Sequence, residues 1–146
     1  MKKINIVCVG KIKDFLTLAI NEYTIRLRKF CELNIIELPE AKNECVKKES
    51  EEILKKLSGY VILCDLKGEN LTSEEFSQKL DKLFISTSTV TFVIGGSEGV
   101  SNEVKSRADL KICFGKFTYP HQLMRVILLE QIYRAFGIKN NTPYHK

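Results

Sequence analysis

Val90-Thr91-Phe92-Val93-Ile94-Gly95-Gly96-Ser97-Glu98-Gly99-Val100-Ser101 is the stretch that decides the fold. Its first five residues form a nearly continuous apolar run of strand length, as expected of a strand covered on both faces. Three glycines then make a turn, and Ser101 is placed to cap a helix over 101–108. Strand, glycine turn and capped helix together are one unit of a parallel α/β domain.

The same grammar recurs on either side. Runs of strand length lie at Ile4–Val9, Leu33–Leu38, Tyr60–Leu66 and Leu110–Phe114. Helical patterns fill the intervals at Asp14–Phe30, Asn43–Leu57, Thr72–Leu83 and Pro120–Phe136. Thr72-Ser73-Glu74-Glu75 is a capping box, in which hydroxyl and carboxylate each answer a free N–H of the first turn. Pro120 suits a first helical position, and Gly137 suits the left-handed residue that ends a helix. Glu44/Lys48, Glu51/Lys55 and Glu52/Lys56 at i,i+4 read as a solvated helix face. The alternation predicts a three-layer α/β domain with a mostly parallel sheet, as one domain over 1–146.

Composition narrows the class. The chain has 146 residues, 44% hydrophobic and 28% charged, as in ordinary globular proteins. No apolar run approaches the roughly 20 residues that span a bilayer, and the opening Met1-Lys2-Lys3 lacks a signal peptide's long apolar core and cleavage site. The expectation is a cytoplasmic protein with no membrane partner. The five cysteines show no C-x-x-C spacing, so neither a disulfide framework nor a metal site is expected.

Charge is unevenly placed. The net charge is +5, and all of it lies in residues 110–146, where Lys111, Lys116, Arg125, Arg134, Lys139 and Lys146 face only Glu130. A polyanionic partner at the C-terminal end is one explanation, and a solvated basic tail is the other. The last helix is apolar around most of its circumference, with Glu130, Gln131 and Arg134 in one sector and Leu129, Ile132 and Phe136 around Arg125 opposite. Its cover comes either from a second subunit or from complete burial within one chain.

Two consecutive turns, Gly95–Gly99 and Gly115–His121, lie at the carboxyl ends of neighbouring units, where open α/β sheets bind ligands. Neither is a phosphate loop or a dinucleotide fingerprint. Phe117 and Tyr119 either flank a purine, with backbone amides to read its edge, or belong to core or rim packing. His121 at a helix start is the usual place of a cap or packing residue. Arg134, Tyr144 and His145 suit phosphate binding, hydrogen bonding and proton transfer, or else belong to an ordered tail.

Gly95-Gly96-x-x-Gly99, Lys116-x-Thr118-x-Pro120-His121-Gln122-Leu123, Arg125-Val126, Glu130-Gln131-x-Tyr133-Arg134-Ala135 and Pro143-Tyr144-His145-Lys146 together resemble the ribosomal RNA large subunit methyltransferase H family, a branch of the SPOUT methyltransferases. Gly10-Lys11-x-Lys13 and Asp65-x-x-Gly68 fit the same pattern. The resemblance implies a SPOUT-type fold with a C-terminal trefoil knot, and a cytoplasmic homodimer. It implies methyl transfer from S-adenosyl-methionine to N3 of a pseudouridine in 23S rRNA of the assembled ribosome, with RNA rather than DNA as partner. It carries the cofactor onto Cys64, Gly96 and the turn Gly115, Lys116, Phe117, Thr118, Tyr119, Pro120, and substrate and catalysis onto Arg134, Tyr144 and His145. The family commonly has Leu where Cys64 stands and often Ser where Gly115 stands.

Overall fold

The computed structural model describes residues 1–146. Five strands, β1 (Lys3–Val9), β2 (Glu32–Leu38), β3 (Tyr60–Asn70), β4 (Thr89–Ile94) and β5 (Leu110–Cys113), form one sheet in the order β2-β1-β4-β3-β5. Every pairing is parallel. The helices are α1 (Asp14–Leu27), α2 (Val46–Leu54), α3 (Ser73–Ser86), α4 (Asn102–Arg107) and α5 (His121–Lys139). No helix is long and apolar enough to cross a membrane.

The continuous apolar strands are explained by two cores, one on each sheet face. Side chains alternate along a strand, so Ile4, Ile6 and Cys8 of β1 enter the core beneath α1, α3 and α5, and Val7 and Val9 enter the other. Phe92 and Ile94 of β4 likewise join the first core while Val93 joins the second. Thr91, fully buried in β4, satisfies its hydroxyl by donating to the Ser58 carbonyl at 2.7 Å.

Two helix caps match the sequence: Thr72 makes both halves of its capping box, and Ser101 accepts from the Val104 N–H. Three local expectations are corrected. The helix expected from Asn43 starts at Val46, because Asn43 and Glu44 take φ values of 60° and 51° in a separate 3-10 turn over Lys42–Glu44. Within α2 the charge run is not wholly solvated, since Glu49 and Ser50 are buried. Pro120 is the cap residue, in extended backbone, with the first helical position taken by His121.

Gly137 does not end the last helix. It lies inside α5, which runs on to Lys139, and Asn141 takes the left-handed conformation at φ 54°. The Thr142 N–H donates to the Gly137 carbonyl (2.9 Å) and the Asn141 N–H to that of Ile138 (3.2 Å), the pattern of a Schellman cap. A Cβ on Gly137 would lie 2.8 Å from Thr142 Oγ1. Glycine is therefore needed so that the tail can fold back on its helix.

The apolar circumference of α5 is covered largely within this chain. α1 and α3 both pack on it, and Leu128, Leu129, Ile132, Ala135 and Phe136 are buried. Phe30 stacks on Phe136 with ring centroids 5.2 Å apart. The sector around Arg125 thus needs no second subunit to cover it.

Candidate functional site

The carboxyl ends of β4, β3 and β5, neighbours in the sheet, converge on a cavity of about 280 Å³. Leu63 and Cys64 come to it from β3, Ile94 from β4, and Ile112 and Cys113 from β5. The Gly95–Val100 turn forms another part of the wall, and Phe117, Thr118 and Tyr119 a third. Asp65, Glu98 and Lys105 contribute charge, and His121 and Met124 close the cavity from α5. A concave site with apolar and aromatic walls and a few charged groups is of the kind that takes a small-molecule ligand.

Of the sequence candidates, Cys64, Gly96, Phe117, Thr118 and Tyr119 line this cavity. Gly115, Lys116 and Pro120 belong to the same turn but do not line it. Burial pushes the Cys64 thiol up to about 12. It is a small hydrophobe in the wall and not a nucleophile. Gly115 has φ +97°, with open space where a Cβ would lie, so a serine there meets backbone strain and no steric clash.

Gly96 is glycine for a reason the sequence did not show. A Cβ there would lie 2.8 Å from Glu49 Oε1 and 3.5 Å from Val9 Cγ1. Glu49 is buried, and its other oxygen accepts from the Ala41 N–H at 3.1 Å. The missing side chain makes room for a protein carboxylate, independently of any ligand.

His121 is a wall residue of the cavity and not merely a local cap. Its Nε2 is buried without a hydrogen-bond partner, 3.9 Å from Glu40 Oε1. The next residues of α5 hold the β1–α1 turn. Gln122 donates to the Lys11 carbonyl (2.9 Å) and accepts from the Lys13 N–H (2.7 Å). Arg125, only 2% exposed, pairs with Glu37 at 2.7 Å and donates to the carbonyls of Val9 and Gly10. The charge that looked like a contact for a polyanion is internal.

Arg134, Tyr144 and His145 do come together, around Glu130, which the sequence had placed beside Arg134 on the helix but had given no role. Glu130 Oε2 accepts from Arg134 Nη2 (2.6 Å) and from the Tyr144 hydroxyl (2.7 Å). Arg134 Nη1 lies 3.0 Å from His145 Nδ1, and His145 Nε2 lies 3.2 Å from Glu74 Oε1. Tyr144 packs edge-on against Tyr133, with centroids 4.8 Å apart. Burial pushes the Glu130 carboxyl up, but the donors of Arg134 and Tyr144 more than offset this and hold it below the usual range. Burial, with Tyr23 and Glu130 alongside, pushes the Tyr144 phenol well above its usual range, so it stays a donor.

This tail cluster does not line the cavity. Met124 and Arg134 are ten residues apart on α5, roughly 15 Å at 1.5 Å per residue. A second cavity of about 260 Å³ lies between, sharing Ile112, Cys113, Phe114 and Tyr119 with the first and reaching Ser73 and Gln131.

Comparison with known proteins places the chain. The family model described as "Predicted SPOUT methyltransferase" matches residues 1–145. The chain is 48% identical to ribosomal RNA large subunit methyltransferase H 1 of Clostridium perfringens and 50% identical to ribosomal RNA large subunit methyltransferase H of Fusobacterium nucleatum. Each match covers 98% of this chain and 99% of the relative. Among solved structures, the fold is similar to a probable methylase family protein from Haemophilus influenzae (TM-score 0.58, 13% identity, 99% of this chain and 71% of that one). It is also similar to the tRNA (m1G37) methyltransferase of Aquifex aeolicus (TM-score 0.56, 13% identity, 91% and 70%). With a parallel sheet, a cavity at its carboxyl edge and near-complete coverage in both directions, the chain belongs to the ribosomal RNA large subunit methyltransferase H family of SPOUT methyltransferases.

Proposed function

We propose that this protein transfers a methyl group from S-adenosyl-methionine to N3 of a pseudouridine in 23S rRNA, acting on the assembled ribosome as a cytoplasmic homodimer with a knotted C-terminal segment. The observation that carries the reading is the cavity at the ends of β3, β4 and β5, in a chain of this family. Its residues fit the cofactor. Tyr119 and Phe117 supply faces for an adenine, and the apolar strand ends seat the ribose and thioether region. Lys105 answers a carboxylate, and Asp65 and Glu98 an ammonium.

When bound, S-adenosyl-methionine supplies an electrophilic methyl on a cationic sulfur: the N3–C bond forms, the C–S pair stays on sulfur, and the imide proton leaves. The protein's part is alignment and exclusion of water. Arg134 meets a phosphate of the RNA through the two guanidinium N–H groups that its contacts with Glu130 and His145 leave over, and Tyr144 and His145 order the tail around it. Because they stand roughly 15 Å along α5 from the cavity, a second copy is the simplest means of bringing a tail to a cavity, which favours the homodimer.

The test has two arms. Calorimetry should detect S-adenosyl-methionine binding that weakens in Tyr119→Ala. Ribosomes lacking the modification should gain one methyl on a pseudouridine, located by mass mapping. Absence of cofactor binding in the folded protein would sink the reading.

A further inference from the structure

We infer that Glu130 is a positioning residue, which through Arg134 holds His145 Nδ1 as a hydrogen-bond acceptor with the ring proton on Nε2, so that His145 places the tail and does not remove the imide proton. This rests on the methyltransferase reading and names how the tail serves it.

The Glu130 carboxylate is saturated. Oε1 accepts from Gln131 Nε2 (2.8 Å) and Arg134 Nε (3.3 Å), and Oε2 from Arg134 Nη2 (2.6 Å) and the Tyr144 hydroxyl (2.7 Å). A carboxylate has about four lone-pair sites, and all are used. The Glu130 side chain is 18% exposed and that of Arg134 23%. The pair is thus more than a solvated i,i+4 bridge, which contributes little. Gln131 Oε1 in turn accepts from Ser73 Oγ at 2.7 Å, tying the cluster to the wall of the second cavity.

Glu130 occupies Arg134 Nε and Nη2, leaving Nη1 aimed at His145 Nδ1, 3.0 Å away. A guanidinium does not lose its proton and can only donate. Nδ1 must then be the acceptor, and the ring proton sits on Nε2, facing Glu74 Oε1 at 3.2 Å. Both ring nitrogens are engaged, and no lone pair remains for a substrate proton, which passes to solvent water. Charged or titratable groups face this ring and its neighbours from every packed element: Glu130, Arg134 and Tyr133 of α5, Glu74 of α3, Tyr23 and Arg26 of α1, and Tyr144 of the tail.

The experiment uses the full-length protein. Long-range nitrogen–proton NMR of the ¹⁵N-labelled chain should give the Nε2–H signature for His145, and Glu130→Ala should replace it with mixed tautomers. On unmodified ribosomes Glu130→Ala should lower kcat roughly 10- to 100-fold, the scale of a lost charged hydrogen bond, with S-adenosyl-methionine affinity unchanged. Glu130→Gln keeps the shape and one acceptor oxygen, so it should fold and lose less. Adding His145→Ala to Glu130→Ala should cost little more, because the two act through one contact. His145→Ala should keep the rising limb of the pH–rate profile. An Nδ1–H signature in the wild type, an unchanged tautomer and kcat in folded Glu130→Ala, or a lost rising limb in His145→Ala would each overturn the inference. Failure of the methyltransferase reading would look different: the wild type itself would neither bind cofactor nor methylate ribosomes.

Discussion

Arg125→Leu is the substitution for which the structure allows a worked magnitude. The guanidinium, 2% exposed, donates to Glu37 and to the carbonyls of Val9 and Gly10. Leucine keeps the apolar stem but strands all three acceptors. Breaking a buried pair by removing one partner costs about 3–5 kcal/mol, and each unsatisfied buried carbonyl costs about 1–3 kcal/mol. Glu37 offsets part of this, since its side chain is 35% exposed and can rehydrate. A net loss of about 4 kcal/mol is expected, which at an m-value of about 2 kcal/mol/M lowers the urea midpoint by roughly 2 M. Arg125→Lys should fall between, because an ammonium cannot reproduce the fork. Protection of the Ile12 amide, which donates to the same Glu37 oxygen at 2.7 Å, should fall in parallel. A loss below about 1 kcal/mol in Arg125→Leu would refute the view that this residue pins the β1–α1 turn to α5.

Truncation after Thr142 should spare the fold and cofactor binding, since the Schellman cap is complete at Thr142, but abolish methyl transfer to ribosomes; full activity would show the tail to be dispensable. Leu129→Glu should unfold the chain, not yield a folded monomer, because Leu129 is fully buried within the chain; circular dichroism with sedimentation separates the two outcomes. The wild type should sediment at twice 16.7 kDa, and a monomer at micromolar concentration would refute the homodimer. Glu130 is held below the usual carboxyl range, so its contribution is complete above the unfolded value of about 4.3. It is lost as pH falls below that value through the lower folded one, so Tyr144 fluorescence should report tail release only in that acid window.

Much of the fold was legible because it is written in local periodicity. Continuous apolar runs, the Thr72 capping box and the Ser101 cap located the five strands and most helix starts to within a few residues, and two glycine turns at strand ends marked the cavity. The resemblance added the family and the motif residues Cys64, Gly96 and 115–120. What the sequence alone left open was every question of which buried polar group meets which. The Arg125 charge is answered by Glu37, 88 positions earlier, and the space beside Gly96 is taken by Glu49. Gly137 is explained only once Thr142 folds back upon it. Periodicity marks a residue as inward or outward, whereas a buried charge is stable only beside partners that the sheet order brings near. For that reason the separation of the tail from the cavity, and the gathering of Arg134, Tyr144 and His145 around Glu130, were decided by tertiary structure alone.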